Sequence, residues 1–441
     1  MDYILHMEAD QRGGTKMRQR IISILKMIGI LVLSGIIGML LLIAVYCLPA
    51  NRIKNHIASG AYIYLQETAM FEYADGYVST LLDNYTDALM LSNVAYPSDH
   101  PVQDAVNVPR YQYKDSADSL ELISYLNDTD GTHYTAVDTY SRYWHGYQVV
   151  LRPFYVFFDF SDMEIFNQAM QLLLLFTVLL LMQKRGLIRY IPAFAMMILF
   201  WNPASMGLSL QYSPCYYISL AACAYILARR NIPDIRRLFL MAGILVAYFD
   251  FLTYPAATLG VPLVMWLIVH RNDNGISIGQ VIRNCIWWVI GYVGMWSEKW
   301  LLGTLLTGNN LFADAAGKIA ERSSSQAEGK SISRPGTVAY LLRYSLAKWP
   351  YLLLIGGTIL GLLACGIILR RRKQKHLPSC QITHAALLLL AGCIPFVWIL
   401  MAANHCYIHP RLTYRVLGVM IFAWLSALTL FALPEGKSRE E

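Results

Sequence analysis

Charge is scarce in this chain: Asp, Glu, Lys and Arg make up only 15% of its 441 residues, against 56% hydrophobic. That balance excludes an ordinary soluble domain and fits a chain that crosses a membrane several times. There is no C-x-x-C pair among the eight cysteines, and Cys223, Cys285, Cys365 and Cys393 lie inside apolar runs. A zinc ribbon and a disulfide framework are therefore not indicated, and these cysteines read as small core residues. No small-residue cleavage site follows the first apolar run, Ile21 to Cys47. The run is also too long for a signal-peptide core, so it is expected to remain as a span. No long internal repeat is visible, which argues against transporter folds built from duplicated halves. The net charge of +7 does not point to nucleic acid, because the basic residues come in short clusters between apolar stretches rather than along one face.

What is present is a series of apolar stretches. A helix needs about twenty apolar residues to cross the hydrocarbon, and that ruler predicts an all-α polytopic membrane protein of about ten transmembrane helices. They centre near residues 34, 174, 197, 221, 245, 263, 293, 358, 394 and 423, with Trp201-Asn-Pro-Ala-Ser205 interrupting the third and fourth. The expected layout is a cytoplasmic N-terminus (1–20), a first span (21–47), a long extracytoplasmic loop (48–162) and spans two to seven (163–306). A second external loop (307–337), spans eight to ten (338–433) and a cytoplasmic tail (434–441) complete it.

Orientation follows from the short basic loops. Arg18, Arg20 and Lys26, then Lys184, Arg185 and Arg189, then Arg229, Arg230, Arg236 and Arg237 form three clusters; His270-Arg271 to Arg283 and Arg370-Arg-Arg-Lys-Gln-Lys375 form two more. With ten spans all five fall on one side, which the positive-inside bias assigns to the cytoplasm together with both termini. The expected localisation is the cell membrane, multi-pass. Within the long loop, Arg52 to Met70 alternates at helical spacing and predicts a helix lying along the interface, whereas Pro97 to Gly131 reads as surface loop.

The distinctive polar motifs gather on the expected outer side. In Asp83-Asn-Tyr-Thr-Asp87, preceded by Glu72 and Asp75, a helix would put Asp83 and Asp87 on one face, as a carboxylate pair able to take a proton from an acceptor hydroxyl. The plainer reading is a solvated helix with an N-cap aspartate. In Arg142-Tyr-Trp-His-Gly-Tyr147, followed by Arg152-Pro153, the cations Arg142 and Arg152 with Trp144 and His145 suit a phosphate clamp, or equally an aromatic belt with snorkelling arginines. In Asn404-His-Cys-Tyr-Ile-His-Pro-Arg-Leu-Thr-Tyr-Arg415, two histidines (His405, His409) and two arginines (Arg411, Arg415), with Tyr414 beside them as a further binding candidate, run against the positive-inside bias, which an anionic ligand would explain. His405 and His409 have metal-ligand spacing, but Pro410 breaks a regular helix and there is no H-E-x-x-H, so no cofactor is expected beyond a remote place for a divalent ion.

Smaller motifs add Gln211 and Tyr212 in Gln211-Tyr-Ser-Pro214, and Asp250 in Asp250-Phe-Leu-Thr-Tyr-Pro255, either a functional carboxylate near a span end or a partner for an arginine. Glu298 and Lys299 in Trp296-Ser-Glu-Lys-Trp300 fit pairing with neighbours or headgroups.

In architecture the whole chain resembles the GT-C class of integral-membrane glycosyltransferases: a short N-terminus, one span, a long external loop with acidic residues, then many spans. Asp83-Asn-Tyr-Thr-Asp87 stands where that class keeps its catalytic carboxylate, and the 142–147 and 404–415 motifs are similar to stretches in bacterial cell-surface glycan proteins. The resemblance implies transfer of a sugar, with inversion, from a polyprenyl-phosphate carrier to a glycan or lipid-linked acceptor in the cell wall polysaccharide. An outward-facing site suits a lipid-borne donor, since nucleotide sugars are not found outside a bacterial membrane. The partners expected are that donor, that acceptor and the bilayer, without nucleic acid. Asp83 or Asp87 would be the base, with Arg142, Arg152, Arg411 and Arg415 on the leaving phosphate and His405 or His409 assisting. A flippase or transporter of the same lipid-linked glycan would instead spread ionisable groups through the membrane depth. A non-catalytic partner in polysaccharide assembly would tolerate loss of the carboxylates, and an acyl- or phosphotransferase would lean on His145 or His405.

Overall fold

The chain opens with the helix Asp2–Tyr46, and its segment Met17–Tyr46 is one of five stretches among the described residues that are long and apolar enough to cross a membrane. The others are Phe160–Lys184, Trp349–Ile368, Cys380–Met401 and Pro410–Ala432. This is a computed structural model, and it describes residues 2–114, 118–229, 231–327, 329–372 and 379–433. The tail 434–441, Arg230 and residues 373–375 of the basic run lie outside the described residues.

Every centre expected from hydropathy falls in a helix, but length separates two kinds. Ile191–Trp201, Ser213–Ala228, Ile235–Phe249 and Ala257–Val269 have 11, 16, 15 and 13 residues. At a rise of about 1.5 Å per residue none spans the roughly 30 Å of hydrocarbon alone. These short helices are also the buried ones: nearly all of Ala257–Val269 is inaccessible, whereas Phe166, Leu173, Leu180 and Leu353 on long helices are exposed. The long stretches Met17–Tyr46, Phe160–Lys184 and Trp349–Ile368 are mostly exposed, whereas Pro410–Ala432 is mostly buried along with the short helices. Ile235–Phe249 and the 30-residue Ile278–Thr307 approach most closely, because Gly243 faces the Trp288 carbonyl and Gly291 the Leu240 carbonyl with no room for a Cβ at either.

One end of this bundle collects basic residues. Arg236 Nη2 donates to Ser23 Oγ (3.1 Å), Arg185 Nε to the Leu227 carbonyl (2.6 Å) and Arg189 Nη1 to the Leu433 carbonyl (2.9 Å), while Arg271 lies over the Tyr190 ring. Clusters far apart in sequence thus share one surface.

The opposite end carries a folded cap. Its first helix, Ala50–Ala61, buries Ile53, Ile57 and Ala61 at four-residue spacing and then tightens into a 3₁₀ turn, Tyr62–Leu65, so the helix expected to reach Met70 stops short. A hairpin follows, pairing Phe71 with Leu82 and Glu72 with Leu81. The helix Asn84–Ala95 comes next, and its Ala88, Leu91, Val94 and Ala95 pack with Leu122, Leu126 and Tyr155 to form a core separate from that of the bundle. Burying a side chain such as Leu91 contributes roughly 1.5–3 kcal/mol.

The stretch 97–131 corrects the expectation of surface loop. It contains the helices Pro101–Asn107 and Asp118–Asn127, and the strand Pro109–Gln112 pairs antiparallel with Ala136–Thr139. Pro101 starts a helix without losing a needed donor, and Ala105, Val106, Leu122 and Ile123 supply buried apolar faces hidden among the Asp and Ser residues. The cross-strand ion pair of Arg110 with Asp138 (2.8 Å) holds the register. Arg152 then ties cap to bundle: its guanidinium donates to the carbonyls of Val45 (3.0 Å), Asn93 (3.3 Å) and Tyr96 (3.2 Å) and lies over the Tyr46 ring.

Candidate functional site

The hairpin 71–82 delivers the chain directly into Asp83, which is the N-cap of Asn84–Ala95 and accepts the Thr86 N–H at 3.2 Å. Its backbone N–H donates to Ser209 Oγ (3.3 Å). Four residues on, Asp87 accepts the backbone N–H groups of Leu210 (2.8 Å) and Gln211 (3.0 Å), pinning the 3₁₀ turn Leu210–Tyr212 against this helix. The two aspartates therefore do different work. Both oxygens of Asp87 are engaged in holding backbone, while Asp83 Oδ2 is buried with no hydrogen-bond partner.

The pinned turn positions Tyr212, whose backbone carbonyl accepts the Tyr254 hydroxyl at 2.7 Å. Over the Tyr212 ring lies Arg415, its guanidinium carbon 3.6 Å from the ring centroid and 4.9 Å from that of Tyr414. Arg415 Nη1 donates to the Arg411 carbonyl (2.7 Å), leaving Nε and Nη2 buried without hydrogen-bond partners, as are Gln211 Oε1 and the Tyr414 hydroxyl. Buried polar atoms in folded proteins are nearly always satisfied, and each orphan costs roughly 1–3 kcal/mol. Asp83, Gln211, Tyr414 and Arg415 together carry five such atoms.

Burial pushes the Asp83 carboxyl above the usual carboxylate range, against the Thr86 hydrogen bonds and the charges of Arg411 and Arg415, which pull it down. Asp87 is pushed well up by burial and then by the Asp83 charge, opposed by its two amide donors. The charge of Arg411 also acts on His409, which joins this centre to a second group. There Arg322 Nη1 bonds His409 Nε2 at 3.2 Å, the rings of His405 and His409 stand 5.0 Å apart, and His405 Nε2 bonds the Leu252 carbonyl at 2.7 Å. Burial first, with His409 and then Arg322 adding to it, lowers His405 to about 3, and burial with Arg322, Arg411 and Lys318 lowers His409 to about 4, so both are neutral at pH 7.

Not every residue singled out in the sequence joins this centre. Glu72 sits on the hairpin opposite Leu81 and accepts the Gly76 N–H (2.9 Å), and Asp75 is exposed at the hairpin tip. The residues of the aromatic motif make contacts within the chain, and Arg142 Nε is left buried without a partner. Arg142 pairs with Asp314 at 3.2 Å, Trp144 Nε1 donates to the Met295 carbonyl (2.7 Å), and His145 is held between the Tyr140 carbonyl (2.9 Å) and the Tyr147 hydroxyl (3.2 Å). Gly146 lies so close to Tyr248 that a side chain there would collide, which is why the motif carries glycine. Arg152 donates to the three carbonyls already named, which use three of its five N–H groups.

Asp250 is the C-cap of Ile235–Phe249, its N–H donating to the Val246 carbonyl (3.0 Å), and its carboxylate accepts the Thr253 N–H (2.9 Å) and hydroxyl in the turn that follows, so it pairs with a threonine rather than an arginine. Lys299 is buried and donates to the carbonyls of Ala105 (3.2 Å) and Val106 (2.9 Å), not to headgroups. Among the described residues no group of three His, Cys, Asp or Glu could hold a metal ion.

Two contributors were not readable in advance. Arg322 ends the helix Leu311–Arg322 within a loop of low apolar content, and only the fold brings it onto His409. The Leu210 and Gln211 amides carry no side-chain signature at all. One acidic triplet, Asp128-Thr-Asp130, turns out to organise a turn: Asp128 accepts from the Tyr113 hydroxyl (3.0 Å) and the Thr132 and His133 amides, and bonds His133 Nδ1 (2.9 Å).

Beside the pinned turn a cavity of about 340 Å³ opens between the helices that carry Met90, Leu151, Phe166, Met170 and Tyr217, and Leu210 forms part of its wall. Val150 and Phe166 are half exposed, so this apolar cleft reaches the lipid-facing surface. Comparison of the chain with protein-family profiles, with curated proteins and with solved structures gave no match.

Proposed function

We propose that this chain is a multi-pass cell-membrane glycosyltransferase that moves one sugar from a polyprenyl-phosphate donor to a cell-surface glycan or lipid-linked acceptor. In this reading the short buried helices and the long ones together make about ten spans. The basic end lies in the cytoplasm with both termini, and the cap faces outward. The observation that carries the proposal is the buried, unpartnered Asp83 Oδ2 in the field of Arg411 and of Arg415, whose Nε and Nη2 are also unpartnered.

The acceptor hydroxyl gives its proton to Asp83 as its oxygen bonds to the anomeric carbon. The bond from that carbon to the phosphate breaks, its electron pair staying on the phosphate, and the guanidinium donors of Arg411 and Arg415 neutralise the growing charge. A carboxyl lifted toward neutrality by burial is better matched to a hydroxyl than an exposed one. Asp87 acts as a positioning residue through the Leu210 and Gln211 amides. The apolar cleft beside that turn suits the isoprenoid tail, because it is open to lipid at one side and adjoins the polar centre at the other.

The test is the sugar composition of the surface polymer in a deletion strain carrying wild type, Asp83→Asn or Asp87→Asn. Loss of one sugar in the deletion and with Asp83→Asn is the expected result. Restoration of that sugar by both variants would end the enzymatic reading and leave movement or presentation of the lipid-linked glycan in its place.

A further inference from the structure

Beyond the Asp83 centre, unsatisfied polar atoms recur where the chain turns from Ile394–Met401 into Ala403–Ile408. Asn404 Oδ1, His405 Nδ1 and Trp398 Nε1 are buried without partners, and Asn404 and His405 are only 4% and 5% exposed. Their other polar atoms are spoken for: Asn404 Nδ2 donates to the Gln326 carbonyl (2.5 Å) and His405 Nε2 bonds the Leu252 carbonyl. Since a carbonyl can only accept, His405 Nε2 carries the proton, and in the neutral ring Nδ1 is a bare acceptor. Two acceptors and one indole donor are thus left unsatisfied along this turn. An anion cannot serve the two acceptors; hydroxyl groups serve all three.

The surroundings are aromatic. Trp398 meets Tyr292 with ring centroids 6.4 Å apart, Tyr292 meets Trp296 at 6.2 Å, and Trp296 meets Tyr143 at 4.8 Å. Tyr143 in turn contacts Phe251, the residue before the Leu252 that holds His405, so the chain of rings closes on the same helix-to-helix turn. Tyr292 and Trp398 are only partly buried and keep ring surface open. Aromatic faces accept the C–H face of a ring, and directed donors and acceptors at their edge accept its hydroxyls.

We infer that Trp398, Asn404 and His405, walled by Tyr292, Trp296 and Tyr143, form a subsite for an uncharged, hydroxyl-rich sugar ring. This rests on the transferase reading for its purpose, though not for its geometry. His409 and Arg411 follow in the same short segment, and the charge of Arg411 reaches both His409 and Asp83, so the ring would lie next to the proposed phosphate site.

The test is saturation-transfer NMR on the purified full chain in nanodiscs. The probes are methyl glycosides of glucose, galactose, mannose and N-acetylglucosamine, with glucuronate and inorganic phosphate as charged comparators. At least one neutral glycoside should bind saturably. Trp398→Phe, which keeps the ring and removes the donor, should weaken it about three- to tenfold, the size expected for one hydrogen bond. His405→Phe should weaken it further, while Asp83→Asn should leave binding intact. Binding unchanged in both Trp398→Phe and His405→Phe, or binding of glucuronate or phosphate alone, overturns the inference; Trp398→Phe keeps the test decisive if His405→Phe fails to fold. Should Asp83→Asn restore the surface sugar while glycoside binding still depends on Trp398, the subsite stands and the transfer chemistry falls.

Discussion

Arg415 stacks over Tyr212, the guanidinium carbon 3.6 Å from the ring centroid, and the residues preceding Tyr212 are those whose amides hold Asp87. One short turn therefore supports a cation on one side and is fastened by a carboxylate on the other. A buried guanidinium without a paired carboxylate is costly unless something else offsets it, and the stacked rings and the Arg411 carbonyl do so only in part. The remaining Arg415 donors are without partners, and the different contacts of Asp83 and Asp87 separate two aspartates that a spacing argument treats as equals.

Asp83→Asn should lower transfer by about 10²- to 10⁴-fold, the usual range for loss of a general base. Because Asp83 titrates above its ordinary value, the folded state holds a proton that the unfolded chain releases from about 3.8 upward. Its contribution to stability therefore falls as pH rises from there through the raised folded value. Activity, which needs the ionised form, should rise over that window. Thermal melts against pH should be flatter for Asp83→Asn than for wild type, and a variant as pH-dependent as wild type would remove Asp83 as the titrating group.

Asp87→Asn should act on positioning. An amide can accept at only one of the two sites, so one backbone N–H loses its acceptor, at a cost of roughly 1–3 kcal/mol. The melting temperature should drop and apparent KM rise, with kcat falling less than for Asp83→Asn. Steady-state kinetics on purified protein separates the two patterns.

Arg415→Lys keeps the charge but loses the flat stack over Tyr212 and the fixed fork of donors. A loss of activity of at least about tenfold is expected, measured as turnover of a short-chain polyprenyl-phosphate sugar. Full activity would show that a point charge suffices and that the stacked geometry is incidental.

Arg152→Met should destabilise the protein by on the order of 3 kcal/mol or more, since the Val45, Asn93 and Tyr96 carbonyls lose their donor together. Asn93 and Tyr96 are at the far end of the helix that begins at Asp83, so activity should fall with the melting temperature rather than independently. A stable but inactive Arg152→Met protein would instead mean that this arginine touches substrate.

In the cap, the His133 hydrogen bond holds Asp128 well below the ordinary carboxylate range, and Asp128 in turn raises His133. Stability from Asp128 is complete above its unfolded value of 3.8 and is lost as pH falls toward its depressed folded value. Stability from His133 is complete below 6.5 and is lost as pH rises through its raised value. The melting-temperature difference between wild type and His133→Ala should therefore be largest between these limits and shrink on both sides. A difference independent of pH would show that the pair does not titrate as a unit.

The membrane class, the position of each apolar helical segment and the concentration of basic residues at one end were all legible in the chain. Hydropathy and charge clustering are properties of consecutive residues and survive without knowledge of contacts. The acidic 83–87 stretch and the 404–415 motif could likewise be marked as unusual, since histidines and arginines between apolar runs need a local reason. The aromatic 142–147 stretch was equally conspicuous, yet Trp144 and His145 are spent on the carbonyls of Met295 and Tyr140.

Which conspicuous residues remain unspent could be decided only by the tertiary structure. Asp87 is satisfied by amides 123 and 124 residues away, and Lys299 by carbonyls 194 and 193 residues before it. Backbone donors and acceptors have the same chemistry at every position, so no sequence pattern announces them. Whether a buried polar side chain is a structural tie or an open binding group depends on that distant backbone, and here it left Asp83 and Arg415 open while closing Asp87, Arg152 and Lys299.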